Sequence, residues 1–337
     1  AHINATTWFD RTNYYAVTPS EHLPTVISME ADRMRHAHLR EEDRRREMTI
    51  VRNEFERGEN LPFEVLDKQI WAEAFTVHPY RHPTIGWRSD IEGVSIERLQ
   101  EFYNTFYWPN NATLTLVGDV EPGRIFRDVK REFGRLKASP HPIPSIYAQE
   151  PPQLRERRVT LRRGGTTELV GLAFKVPAGL HRDTPALQVA SQLLGRGRVS
   201  RLYRVLVENG LASDVIVEDL LLKDPGLLIV YAFATPGTKL EKVEAIIRAE
   251  IESIQKKGVT KKEVEVAKAQ LETAVALGRD GVSELATYLN EAIALGDWRF
   301  YLTFPEKIRT VSTAKVKEVL RRYVTDAALT VGQYLPS

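Results

Sequence analysis

The sequence predicts an α+β fold of two homologous domains. Three observations carry that prediction: an internal repeat, a proline-rich break between its copies, and strands alternating with amphipathic helices on either side of the break. VSIERLQEFYNTFYWPNNATLTLVG, Val94 to Gly118, matches VSTAKVKEVLRRYVTDAALTVG, Val311 to Gly332, with small deletions. The Val-Ser start, the helical apolar positions Leu99/Val316, Phe102/Val319 and Phe106/Tyr323, and the closing Ala-x-Leu-Thr strand all recur. Between the copies, KASPHPIPSIYAQEPPQLRER, Lys137 to Arg157, has prolines at 140, 142, 144, 151 and 152. Such a run disfavours helix and sheet and suits an extended connector. The boundaries follow: a first domain over 1–136, a linker over 137–157 and a second domain over 158–337.

Element by element, the first domain opens on a strand pair from Ile3 to Val17, alternating in character from its first residues. Helices are expected at Ser20 to Arg35, around Glu47, at Pro62 to Ala74 and at Ile96 to Tyr107. A strand at Ala112 to Gly118 and a helix at Pro122 to Phe133 complete it. Beyond the linker come strands at Arg158 to Leu161 and Glu168 to Lys175, then helices at Pro185 to Leu194 and Ser200 to Glu208. Strands at Ser213 to Leu221 and Gly226 to Thr235, four more helices and a last strand at Ala328 to Tyr334 follow. The copies are offset by 217 residues at Val94/Val311 and by 214 at Gly118/Gly332. Carried back by that offset, the strand near Val159 maps to about position −55, so the first domain is expected to lack its first 55 or so residues.

The stretch EMTIVRNEFERGEN, Glu47 to Asn60, bears the first chemical signal. Glu47, Ile50, Val51 and Glu54 fall at i, i+3, i+4 and i+7, the spacing of a core-facing stripe, so two carboxylates are expected to point inward. At an offset of 220 the corresponding helix of the second repeat has Ala267 opposite Glu47 and Ala274 opposite Glu54. The scaffold therefore does not require the acids, and an inward carboxylate needs a hydrogen bond, an ion pair or a metal. Two readings stay open: arginine side chains pair the glutamates, or one of them binds a metal whose other ligands lie elsewhere.

No histidine spacing supplies those ligands. His78 and His82 in HPYRH stand four apart, but Pro79 and Pro83 break the helix such a pair would need, which points to a loop with two surface histidines. His36 and His38 end a helix, where an imidazolium suits the macrodipole. Composition narrows the classes further. With 47 Lys and Arg against 45 Asp and Glu, the net charge of +2 gives no footprint for nucleic acid. No apolar run approaches the ~20 residues of a membrane span, and the absence of cysteine excludes disulfides and thiolate metal sites.

The order NATTWFDRTNYY, TPSEHLPTVISMEADRMRH, EEDRRREMTIVRNEFERGENLP, then HPYRHPTIGWRSDIEGVSIERLQEFYNTFYWPNNATLTLVGDV, resembles the insulinase, pitrilysin and mitochondrial processing peptidase family of zinc peptidases. The resemblance continues through TLRRGGTTELVGLAFKVP and LLGRGRVSRLYRVLVENGLA to the last strand, and so covers essentially the whole chain. It implies two domains, each an antiparallel sheet with helices on one face, facing each other as a clamshell. It implies a zinc-dependent endopeptidase acting on unfolded peptides, with H-x-x-E-H giving two histidine ligands and a general base. Glu54 matches the family's glutamate ligand to Zn2+, and Glu47 matches the acid that supports the site from behind a histidine. The H-x-x-E-H helix itself would fall at about position −25, upstream of Ala1, so no catalytic base is expected among these 337 residues. Asn4, Ala5 and Thr6 resemble the edge strand that binds substrate by strand addition.

One departure stands out. The family's second domain carries an arginine and a tyrosine in a segment like L-R-E-x-x-G-L-A-Y, and Val207 and Ser213 occupy those positions here. A homo- or hetero-oligomer with a related subunit supplying them is therefore expected. The alternative is a non-catalytic member serving as a binding or assembly subunit. The resemblance favours a periplasmic or cell-envelope location over the cytoplasm.

Overall fold

Strands β4 (Glu168–Val176) and β6 (Gly226–Ala234), ELVGLAFKV and GLLIVYAFA, are nearly unbroken apolar runs. Strands of that kind need cover on both faces. They lie inside a five-stranded sheet of order β3-β7-β4-β6-β5, with β3 (Arg157–Arg163), β5 (Ala212–Asp219) and β7 (Leu329–Pro336). β3 runs parallel to β7 and every other pair is antiparallel, so the sheet is mixed by one pair. In a computed structural model covering residues 1–337, this sheet organises the larger of two compact units, made of Arg57–Pro83, Ala148–Gly278 and Ala294–Ser337.

One face of the sheet carries the helices of the second half: α7 (Thr184–Gly195), α8 (Leu240–Lys257), α9 (Lys261–Leu277), α11 (Phe300–Arg309) and α12 (Thr313–Tyr323). Val170, Leu172 and Phe174 of β4 meet Leu193, Ile247 and Val316 there in one continuous core. The opposite face is covered by α3 (Pro62–Ala74), whose Val65, Leu66, Ile70 and Ala74 are buried. Gly171 and Gly332 are cross-strand partners beneath it, and a Cβ on either would stand 2.5 Å from an Ile70 carbon. Two glycines in register let the helix sit directly on the sheet.

The smaller unit comprises Ala1–Glu56, Thr84–Tyr147 and Arg279–Ile293. It contains the hairpin β1 (His2–Trp8) and β2 (Arg11–Val17) with α1 (Leu23–His36), most of α2 (Glu41–Glu59), α4 (Arg88–Gly93), α5 (Ile96–Phe106), α6 (Pro122–Phe133) and most of α10 (Val282–Leu295). The repeat survives in local detail. Ser95 caps α5 by accepting the Arg98 amide, as Ser312 caps α12 with Lys315. The environments differ, because Phe102 of α5 is 56% exposed whereas its counterpart Val319 of α12 is 0% exposed. The strand expected at Ala112 to Gly118 joins no ladder, while its counterpart β7 has a partner on each side.

The units also cut across the sequential boundaries 1–136 and 158–337. At the repeat offset α3 corresponds to α10, and each of these helices belongs with the unit built mainly by the other half of the chain. The physical reason is cover: the bare face of the five-stranded sheet is filled by α3. Residues 137–156 have no helix or strand, as their prolines require. Their end is pinned where the Glu150 carboxylate accepts the amides of Thr76, Val77 and His78 at 2.9–3.1 Å and pairs with Lys175 at 2.9 Å.

Candidate functional site

Helix α2 carries Glu54 and Glu47, and its buried side corrects the expected stripe. The residues withdrawn from solvent along its inner side are Arg44, Met48 and Val51, half-buried, and Phe55, buried. This set is offset by one residue, about 100° around the helix, from the stripe through Glu47, Ile50 and Glu54. Met48 and Phe55 offer more apolar surface than Ile50 alone, and the rotation leaves both carboxylates in water. Glu47, Ile50 and Glu54 are all exposed. In the second repeat Ala267 is buried as expected, but Ala274 is exposed.

Around the buried side, Arg44 pairs with Glu41 at 2.8 Å and donates to the Val94 carbonyl at 3.1 Å, tying the start of α2 to the entry of α5. The Arg88 guanidinium lies over the Phe55 ring at 5.4 Å. These contacts orient α2 so that Glu47 and Glu54, seven residues apart, share the solvent-facing side.

Asn4, Ala5 and Thr6 lie on β1, which pairs with β2 alone, so its other edge is free. The Asn4 Oδ1 accepts the Ala5 amide at 2.8 Å and thereby holds an edge donor. At the hairpin end Arg11 donates to the Thr6 carbonyl at 3.3 Å and its hydroxyl at 3.0 Å, and its Nε donates to Glu291 of α10 at 2.7 Å. Arg11 thus sets the conformation of the edge strand, a role that residue type alone did not signal. The arrangement can accept an extended peptide by adding it as a further strand.

His78 is buried rather than at the surface: its Nε2 is 3.3 Å from Asp224 and its Nδ1 accepts the Tyr80 amide at 3.3 Å. It stabilises the loop after α3, while His82 is exposed. The helix expected at Ser200 to Glu208 becomes a π-helical turn over Tyr203–Val207, which includes Val207. Ser213 is exposed at a bulge between Ala212 and Asp214 of β5.

No three His, Cys, Asp or Glu side chains in residues 1–337 are placed to hold a metal ion. A zinc site of the inverted-motif type needs two imidazoles beside a carboxylate. Glu54 offers one exposed carboxylate, so the residues present do not make up a zinc ligand set.

Residues 1–87 match the insulinase (peptidase family M16) domain, and residues 93–271, more than half of the chain, match the domain described as the peptidase M16 inactive domain. The chain belongs to peptidase family M16. The zinc protease PqqE of Helicobacter pylori is 28% identical over 331 residues, covering 97% of this M16 chain and 74% of that protein. The crystal structure of a protease from Helicobacter pylori superposes with a TM-score of 0.95 at 28% identity, over 99% of this chain and 82% of that one. The peptidase M16 inactive domain from Pseudomonas fluorescens shares the fold, with a TM-score of 0.87 at 15% identity over 100% of this chain and 81% of that one. The α+β fold is therefore that of family M16. No helix of this M16 chain is long and apolar enough to cross a membrane.

Proposed function

We propose that this M16 chain is the glutamate-bearing part of a zinc-dependent endopeptidase, with Glu54 as a metal ligand and Glu47 supporting the site. The reading places the imidazole ligands and the general base on residues outside these 337, on the same polypeptide or on a partner chain. The observation that carries it is the asymmetry of the repeat: α2 has carboxylates at 47 and 54 where α9 has Ala267 and Ala274. Solvent-facing carboxylates that no core contact requires are free to reach a metal held by another segment. The named zinc proteases among its relatives support the same reading. Peptide substrate would add to the free edge of β1 at Asn4 to Thr6.

The decisive measurement is zinc content by elemental analysis of the native gene product. Glu54→Gln should lose most of the bound zinc, and Glu47→Gln less of it. Equal zinc in wild type and Glu54→Gln would overturn the assignment.

A second reading, a non-catalytic binding or assembly subunit, is favoured by Val207 and Ser213 standing at the family's arginine and tyrosine positions. Under the first reading the same substitutions call for a homo- or hetero-oligomer whose related subunit supplies those groups. Full peptidase activity from a purified monomer at high dilution would count against such an oligomer. A native product without zinc and without cleavage would establish the second reading.

A further inference from the structure

The interface between α3 and the five-stranded sheet holds a group of acids that neither the zinc reading nor simple packing uses. Asp67 faces the sheet from the middle of α3, half-buried, and accepts a hydrogen bond from the Tyr231 hydroxyl of β6. Tyr231 is fully buried, and the Phe63 ring of α3 packs against it edge-on at 4.7 Å between centroids. The Trp71 side chain, one turn along α3, also hydrogen-bonds Asp67. The other titratable groups acting here carry the same charge: Glu64 on α3 and Glu218 on β5, the latter half-buried. Arg196, after α7, acts on Glu218, whereas Lys68 of α3 is committed to Glu59, which also pairs with Arg163. No cation thus neutralises Asp67.

We propose that Asp67 and Tyr231, with Glu64 and Glu218 around them, form an acid-tightened latch that regulates how firmly α3 is docked on the sheet. Protonated, Asp67 sits in the interface as a neutral group and keeps its bond to Tyr231. Ionised, it places a charge between the buried apolar side of α3 and the sheet, within the repulsive reach of half-buried Glu218 on β5 and exposed Glu64 on α3. Burial pushes the Asp67 carboxyl up to about 6 from 3.8, helped by the charges of Glu218 and Glu64 and opposed by the hydrogen bonds from Tyr231 and Trp71, which favour the carboxylate. An acid whose folded value is raised contributes stability that is complete below 3.8 and is lost as pH rises through 6. The apolar residues Val65, Leu66 and Ile70 keep α3 in place throughout, so the latch changes how often it opens and not whether it docks.

The latch is tested by amide hydrogen exchange over Leu66–Ala74 in the whole chain, at pH 5 and pH 7.5, corrected for intrinsic exchange rates. Wild type should open α3 about tenfold more often at pH 7.5 than at pH 5. Asp67→Asn should abolish that difference and protect α3 at pH 7.5 at least as well as wild type. The same pH dependence in Asp67→Asn as in wild type would overturn the proposal. A carbon-13 titration of the Asp67 carboxyl in the wild-type chain gives a second reading that needs no stable variant. Its midpoint should lie near 6 and move down in Glu218→Gln, and a midpoint at the ordinary 3.8 would refute the latch.

Discussion

Gly171 and Gly332 face each other across β4 and β7 beneath Ile70, and neither leaves room for a methyl group. Gly171→Ala should destabilise the chain by roughly 1–3 kcal/mol, the cost of overpacking a closed core, while Ile70→Ala should cost about 2–5 kcal/mol through the cavity it leaves. Both are read from denaturant midpoints, and the pair should be non-additive because each relieves or creates space for the other. Glu150 works by charge. Against the opposing effect of burial, its hydrogen bonds from Lys175 and the amides of Val77, Thr76 and His78 hold its carboxyl down to about 2 from 4.5. A depressed acid contributes stability that is present above 4.5 and lost as pH falls toward 2, so Glu150→Gln should lower stability above 4.5 and flatten its fall between 4.5 and 2. At neutral pH the same change should cost about 1.5–3 kcal/mol.

Among the elements, β1 and α2 carry the functional proposals and owe their exposure to different causes. β1 is open because its only partner is β2. Ala5→Pro removes an edge amide that is bonded to the Asn4 side chain and not to β2, so the hairpin should persist. Peptide affinity should fall by about 1 kcal/mol, roughly fivefold. Unchanged affinity in a calorimetric titration would remove β1 as the peptide edge. α2 exposes its glutamates because Met48 and Phe55, not Ile50, won the inner side. The spacing of 44, 48, 51 and 55 fits an inner side as well as that of 47, 50, 51 and 54 does, and local periodicity does not decide between two stripes one residue apart.

For the whole molecule, the exchange of α3 and α10 means that a cut in the proline-rich segment does not separate two folding units. A chain of residues 148–337 would lack α3 and expose the face of the sheet around Leu169, Gly171 and Gly332, all buried in the intact chain or packed against α3. It should bind a hydrophobic dye and aggregate, and co-expression with residues 1–147 should restore a soluble pair. Cooperative unfolding of 148–337 alone at the melting temperature of the intact chain would contradict this.

Sequence by itself determined most of the elements, the repeat and the family, because these rest on local periodicity, proline placement and residue order, which need no distant partner. It also placed the acids at 47 and 54 and marked them as foreign to the second repeat. Tertiary structure decided which side of α2 is buried, why His78 is enclosed, that Ala112–Gly118 joins no strand ladder, and which sheet α3 covers. Each depends on contacts between residues far apart in the chain, where the apolar area available at closure decides the outcome. The Asp67–Tyr231 bond joins residues 164 positions apart, and no motif or spacing announces it.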